Sequence, residues 1–553
     1  MLQRSLRLVR PTTVLAIGVA ALVCVPVIAV IWLAFNPEEN IWPHLLDTVL
    51  PGYITTTLIL MLAVAAGTLL IGVVCAWLVT FYQFPGRGFF TWGLLLPFAV
   101  PAYVIAYVYT DLLEYAGPVQ SSLRSLFGWQ SAADYYFPPI RTLGGAATML
   151  TLVLYPYIYL LTRAAFAEQS PSMLDAARAL GHRSGAAFFR VTLPLARPAV
   201  AVGVAMVMME TLNDFGTVDY FAVRTLSAGI YDVWLGMNNL GGSAQIATLL
   251  LLFVLMMVGL ERIGRRRQRH FQPASSRFRT MSRIPLRGYQ SAIATLICAL
   301  PVALGFLLPA IILGRYAVAH FAESWTEDFR QTALNSLTIS ALGAFATVCL
   351  AVTLAYAARM SPGPLLGYCN RVASVGYSVP GAVLALGVLV PFAAFDNALD
   401  AWLRSQFDIS SGLLLSGTVF AILFAYVVRF MAVALGAVES SLGKITPSMD
   451  MAARTLGHRP FQIMRRIHIP LMRSGLLTAM LVVFVDCMKE LPATLVLRPF
   501  NYETLATYVY QYASDELLRE SALAALLIVA TGLIPVLLLS VTIDRSRDLQ
   551  RRE

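Results

Sequence analysis

Twelve mostly apolar runs recur along the chain, near residues 13–35, 55–81, 90–110, 144–162, 198–218, 245–261, 292–314, 333–357, 372–395, 412–437, 474–495 and 521–543. A bilayer span needs about 20 apolar residues. The loops left between the runs are too short for a soluble catalytic domain. In hydrocarbon every backbone N–H and C=O must be satisfied by the protein itself, which restricts spanning segments to helices and closed barrels. Runs this long, with no alternation of apolar and polar residues, do not suit barrel strands. The expected fold class is an all-α polytopic membrane protein with about twelve transmembrane helices. Composition agrees: only 13% of the 553 residues are charged, against about 25% in an ordinary soluble domain. Arg4, Arg7 and Arg10 precede the first run. That run is too long for a signal peptide and lacks a small-x-small cleavage site, so a retained first helix is expected.

Charge sets the expected orientation. With the N-terminus in the cytoplasm, 30 of the 40 Lys and Arg fall in inner segments and 8 in outer loops. This follows the positive-inside rule and places both termini in the cytoplasm. Of the 30 acidic residues, 18 fall outside and 8 inside, while Glu210, Asp214, Asp486 and Glu490 lie within or at the ends of spans. Nine Arg crowd into Arg262–Arg287 between spans six and seven, which reads as a solvated linker over 262–290, with attraction to anionic lipid headgroups as the alternative. The net charge of +10 rests on 38 Arg and two Lys, and nucleic acid is not an expected partner. Six cysteines stand singly in apolar stretches with no C-x-x-C pair or His cluster beside them, so packing is their expected role.

Pro171-Ser-Met-Leu-Asp-Ala-Ala-Arg-Ala-Leu-Gly-His-Arg183 returns as Pro447-Ser-Met-Asp-Met-Ala-Ala-Arg-Thr-Leu-Gly-His-Arg459, an offset of 447 − 171 = 276, and 14 of 27 positions are identical across 171–197. The chain is therefore a duplication: a first repeat over 1–261 with a cytoplasmic loop at 168–197, and a second over 291–553 with a loop at 439–473. Each repeat has six spans, an even number, so the copies enter the membrane in the same sense and both loops face the cytoplasm. Each loop reads as a short helix opened by Pro171 or Pro447 behind a Ser170 or Thr446 cap. Met173, Ala177 and Leu180, repeated as Met449, Ala453 and Leu456, form an apolar stripe, and Gly181 or Gly457 ends the helix. Thin alanine faces flanked by Arg suit a docking element for a shared partner.

At these loops the sequence resembles the permease subunits of ATP-binding-cassette importers, whose hallmark is a cytoplasmic E-A-A-x-x-x-G loop. The matching residues are Asp175, Ala176, Ala177 and Gly181 in the first copy, and Ala452, Ala453 and Gly457 in the second. Asp175 replaces the family's Glu, while Met451 stands there in the second copy with Asp450 one residue earlier. The resemblance implies that each loop is a coupling helix seated in an ATPase subunit, hence two ATPase copies, an extracytoplasmic solute-binding protein, and a bacterial inner membrane location. A phosphate-binding G-x-x-x-x-G-K-[ST] loop needs Lys before Ser or Thr. Here Lys444 precedes Ile and Lys489 precedes Glu, so ATP is expected to be used by partner subunits and no cofactor is expected on this chain. The fused form, with Glu210–Val223 and Lys489–Phe500, looks most like the ferric iron permeases.

Glu210 and Asp214 share one helix face and recur as Asp486 and Glu490 at the same offset of 276. Acids at membrane depth cost about 2.5 kcal/mol or more each on insertion scales. Their duplication therefore suggests two acidic pairs lining a cation path, the alternative being wet span ends paired structurally with Lys489, Arg498 or Asn213. Tyrosines are dense at 103, 107, 109, 155, 157 and 159. Phenolate oxygen suits ferric iron, while interfacial belts and packing use Tyr routinely. A thiamine or other small-solute importer and an ion-coupled secondary transporter stay open as alternatives.

Overall fold

Uniformly apolar sequence becomes long helix. Among the described residues eleven helices are long and apolar enough to cross a membrane, and a bent pair, Arg87–Ala99 with Ala102–Phe127, makes twelve if it is one span. The structure, a computed structural model, describes residues 11–167, 169, 186, 188–266, 283–361, 363–374, 376 and 379–552. The bent pair turns through 89°. Its cause is local: Val100 and Pro101 are both extended between the two helices, because a residue before proline is pushed out of the helical region.

The sequence repeat is also a repeat of elements. Leu50–Phe81, Leu143–Ala167 and Leu193–Asn213 in the first copy correspond to Glu327–Met360, Val419–Gly443 and Ile469–Met488 in the second. Even the single π turns ahead of the fifth spans, Phe188–Thr192 and Met464–His468, keep the offset 464 − 188 = 276. A short helix follows each fifth span, Gly216–Tyr220 and Pro492–Leu497.

The helices gather into two units. The first comprises residues up to Pro43, Ile230–Leu251 and Thr326–Tyr508. Its centre is Glu327–Met360, Val419–Gly443 and Ile469–Met488, with the chain's first helix, Pro11–Phe35, laid on Gly381–Phe407. That seat depends on Gly387, which faces the Pro26 carbonyl so closely that a Cβ has no room there, the small-residue contact membrane helices use to bring backbones together. The second unit comprises His44–Gly229, Leu252–Trp325 and residues from Val509. In it Leu50–Phe81 packs on Leu143–Ala167 and Leu193–Asn213, and Leu308–Ala319 on Leu518–Arg552. Each unit thus combines the body of one repeat with the first span of the other. In the second unit a two-residue parallel ladder, Tyr82–Gln83 with Ile284–Pro285, ties the chain entering span seven to the end of span two.

Candidate functional site

The second loop is a built joint rather than a loose connection. Pro447 opens the helix Pro447–Thr455 at a position where its missing N–H costs nothing. The expected Thr446 side-chain cap is absent: its hydroxyl pairs with that of Ser448 at 2.9 Å instead. At the other end Gly457 takes φ +80°. The Gly457 and His458 N–H groups then donate to the carbonyls of Arg454 and Ala453 at 3.0 and 3.1 Å, the paired bonds of a Schellman termination. Nothing lies within 4 Å of a Cβ built on Gly457. Gly457→Val is therefore expected to strain the backbone alone, by about 1–2 kcal/mol. It should lower transport while leaving assembly with partner subunits intact, as co-purification would check.

The inner face of this helix carries Asp450 and Ala453, both buried. Asp450 meets Arg359, from the end of Glu327–Met360, at 2.8 Å, and His468, from the start of the fifth span, at 2.6 Å. Arg359 uses its other nitrogens on the Leu442 and Ile445 carbonyls, at 2.6 and 2.8 Å, and so satisfies carbonyls left over where Val419–Gly443 ends. His468 is 1% exposed and stands edge-on to Tyr356 at 5.7 Å. Burial pushes the Asp450 carboxyl up, but the hydrogen bonds from Arg359 and His468 outweigh it and hold the group below the usual carboxylate range. One carboxylate thereby joins the short helix to two spans.

The apolar stripe divides: Ala453 turns inward, while Met449 and Leu456 are exposed, Leu456 by 78%, beside exposed Met451, Ala452 and Phe461. Met451, standing where the family has its acid, points outward, and Asp450 provides the inward carboxylate. Asp175, Ala176, Ala177 and Gly181 of the first loop lie outside the described residues. Arg359 and His468 were missed by sequence reasoning; the displaced acid at Asp450 was the only signal of them.

The four acids divide by role. Asp214 accepts from the Thr217 and Val218 N–H groups, at 3.1 and 3.2 Å, and from the Thr217 hydroxyl at 3.0 Å. Glu490 does the same one repeat later, accepting from the Ala493 and Thr494 N–H groups at 3.1 and 3.0 Å and the Thr494 hydroxyl at 2.6 Å. Each carboxylate therefore caps the short helix after its span, where unpaired N–H groups favour negative charge. Glu490 is 5% exposed, with Arg429 at 3.9 Å. Asp486 pairs with Lys489 at 3.1 Å. Glu210 is half-buried one helical turn before Asp214, whose N–H donates to its carbonyl at 3.0 Å. Glu210 with Asp214 lies in one unit and Asp486 with Glu490 in the other.

Several tyrosines have ordinary packing roles. Tyr109 donates to the Leu304 carbonyl at 2.8 Å, Tyr159 to the Thr91 carbonyl at 3.0 Å, and Tyr157 meets Phe98 edge to face. Among the described residues no group of three His, Cys, Asp or Glu side chains is placed to hold a metal.

Residues 68–270 and 348–552 each match the family described as binding-protein-dependent transport system inner membrane component. A Fe(3+)-transport system permease protein of Haemophilus influenzae is 26% identical over 497 residues, 88% of this chain and 89% of that relative. A ferric transport system permease protein of Actinobacillus pleuropneumoniae is 23% identical over 76% of this chain and 61% of its own length. A sulfate transport system permease protein of Salmonella typhimurium is 28% identical over 40% of this chain and 79% of its own length.

Proposed function

The chain belongs to the binding-protein-dependent transport system inner membrane component family, and from that premise we propose that it is the permease of an ATP-driven importer of ferric iron. It is a transport subunit rather than an enzyme. The observation that carries the cargo is the near full-length similarity to the Haemophilus influenzae ferric permease, whereas the sulfate relative matches less than half of the chain. An extracytoplasmic binding protein delivers the cargo, and two cytoplasmic ATPase subunits, one under each repeated loop, use the ATP. Both termini then face the cytoplasm of a bacterial inner-membrane protein, as the Arg distribution favours.

In this reading the exposed Met449, Met451, Leu456 and Phe461 meet the ATPase. Movement of the helix Pro447–Thr455 reaches the spans through Asp450, because Arg359 and His468 stand at the ends of two of them. Asp214 and Glu490 hold the short helices, and Glu210 and Asp486 present negative charge to a passing cation. Uptake of radiolabelled ferric iron by cells with and without the gene tests the cargo, with labelled thiamine and sulfate in parallel. Loss of iron uptake alone is expected; unchanged iron with lost thiamine or sulfate uptake would replace the cargo and keep the permease.

A further inference from the structure

The two repeats build the same elements with different side chains, and the difference isolates one cluster. In the second repeat Pro380 leads into Gly381–Phe407, and Pro492–Leu497 follows the fifth span. The first repeat does this with Pro101, Ala102–Leu113 and Gly216–Tyr220. Where the second places Ala382, Leu386, Leu495 and Val496, the first places Tyr103, Tyr107, Asp219 and Tyr220. Apolar residues suffice to form these elements, so the fold does not require the oxygens.

A further tyrosine joins them from the second repeat. Tyr510 donates its hydroxyl to Asp219 at 2.5 Å, with its ring 6.0 Å from Phe215. Its counterpart Tyr231, at an offset of 510 − 231 = 279, donates instead to the Pro492 backbone carbonyl at 2.7 Å. Tyr107 is 1% exposed, and its ring meets Tyr220 at 4.4 Å and Tyr103 at 5.8 Å. Its hydroxyl is buried with no hydrogen-bond partner, an arrangement that costs about 1–3 kcal/mol and calls for an explanation. Arg141 lies over the Tyr220 ring at 4.8 Å, and Glu114 at 2.6 Å and Glu516 at 3.0 Å offset its charge. With Asp219 added, the charged groups around the cluster sum to a negative value.

Resting on the ferric reading above, we propose that Tyr107, Asp219, Tyr220 and Tyr510 form a binding site for the ferric ion on its way through the permease. Carboxylate and phenolate oxygens are hard donors, matched to a small trivalent cation as hard oxygen ligands are matched to hard metals generally. Iron stays ferric throughout. Each phenol that ligates it breaks its O–H bond, keeps the electron pair for the metal and releases the proton to water.

The test uses the complete transporter, with its ATPase and binding protein. Titration of the purified complex with ferric nitrilotriacetate is expected to give a visible phenolate-to-iron charge-transfer band. Tyr107→Phe and Tyr510→Phe keep the rings and their packing; each should weaken the band and cut ferric uptake in proteoliposomes by roughly tenfold or more, as loss of a metal-site partner does. Asp219→Asn should do the same. Tyr316→Phe, which breaks a bond to Asp111 outside the cluster, should leave the band in place. A wild type that carries ferric iron, shows no band and tolerates all three cluster substitutions overturns the site alone. A wild type that carries no ferric iron overturns the functional reading beneath it.

Discussion

Asp450→Ala is expected to uncouple the transporter, lowering ATP-driven uptake by about tenfold or more while ATP hydrolysis by the partner subunits falls much less. The carboxylate is 7% exposed and holds both Arg359 and His468. Removing one member of a buried ion pair typically costs about 3–5 kcal/mol, because the remaining charge is left without compensation. Arg359 still has the Leu442 and Ile445 carbonyls, so the span ends stay in place and the damage concentrates in the link to Pro447–Thr455. The ratio of uptake to hydrolysis in proteoliposomes measures this directly; an unchanged ratio would remove the network from the coupling mechanism. Acidity has a definite sign here. A carboxyl whose native pKa is depressed adds stability that is complete above its unfolded value, about 3.9, and is lost as pH falls through the lower native value. The Asp450 carboxylate should therefore stay ionised at every pH above its unfolded value, and its own share of the link should be lost only below about pH 4.

The apolar runs and the duplication were legible in the sequence because both are local or copied. A run of 20 apolar residues has one solution in hydrocarbon, and a copied loop announces itself at a fixed offset. The Asp450 network was not legible, since its partner Arg359 lies 450 − 359 = 91 residues away and its residues are not repeated in the sequence at the offset of 276. At the positions of Asp450 and His468 the first repeat carries Leu174 and Thr192. Duplication of the acids was visible, but not that Asp214 and Glu490 each accept from the first N–H groups of the short helix that follows. Pro492 at the start of one such helix was an available sign of it. The tyrosines could not be sorted by density, because what separates Tyr107 from Tyr109 or Tyr159 is whether a carbonyl stands within reach of the hydroxyl.

Of the four acid substitutions at the fifth spans, Glu490→Ala is expected to be the most damaging, and through stability before transport. It orphans the Ala493 and Thr494 N–H groups, a cap loss worth about 0.5–2 kcal/mol. It also removes the carboxylate 3.9 Å from the part-buried Arg429 guanidinium, which adds to the loss. Gln at this position does not repair it, since a carboxamide brings N–H donors toward a helix start that already has donors to spare. Asp486→Asn breaks only a part-exposed pair with Lys489, worth about 0–1 kcal/mol, so a fall in its ferric uptake would report on cation passage itself. The thermal midpoint of the detergent-solubilised complex separates these cases. A clear drop for Glu490→Ala, with none for Asp486→Asn, is the expected pattern. Wild-type stability in Glu490→Ala together with a selective loss of iron affinity would make Glu490 a ligand of the cargo rather than the anchor of its helix.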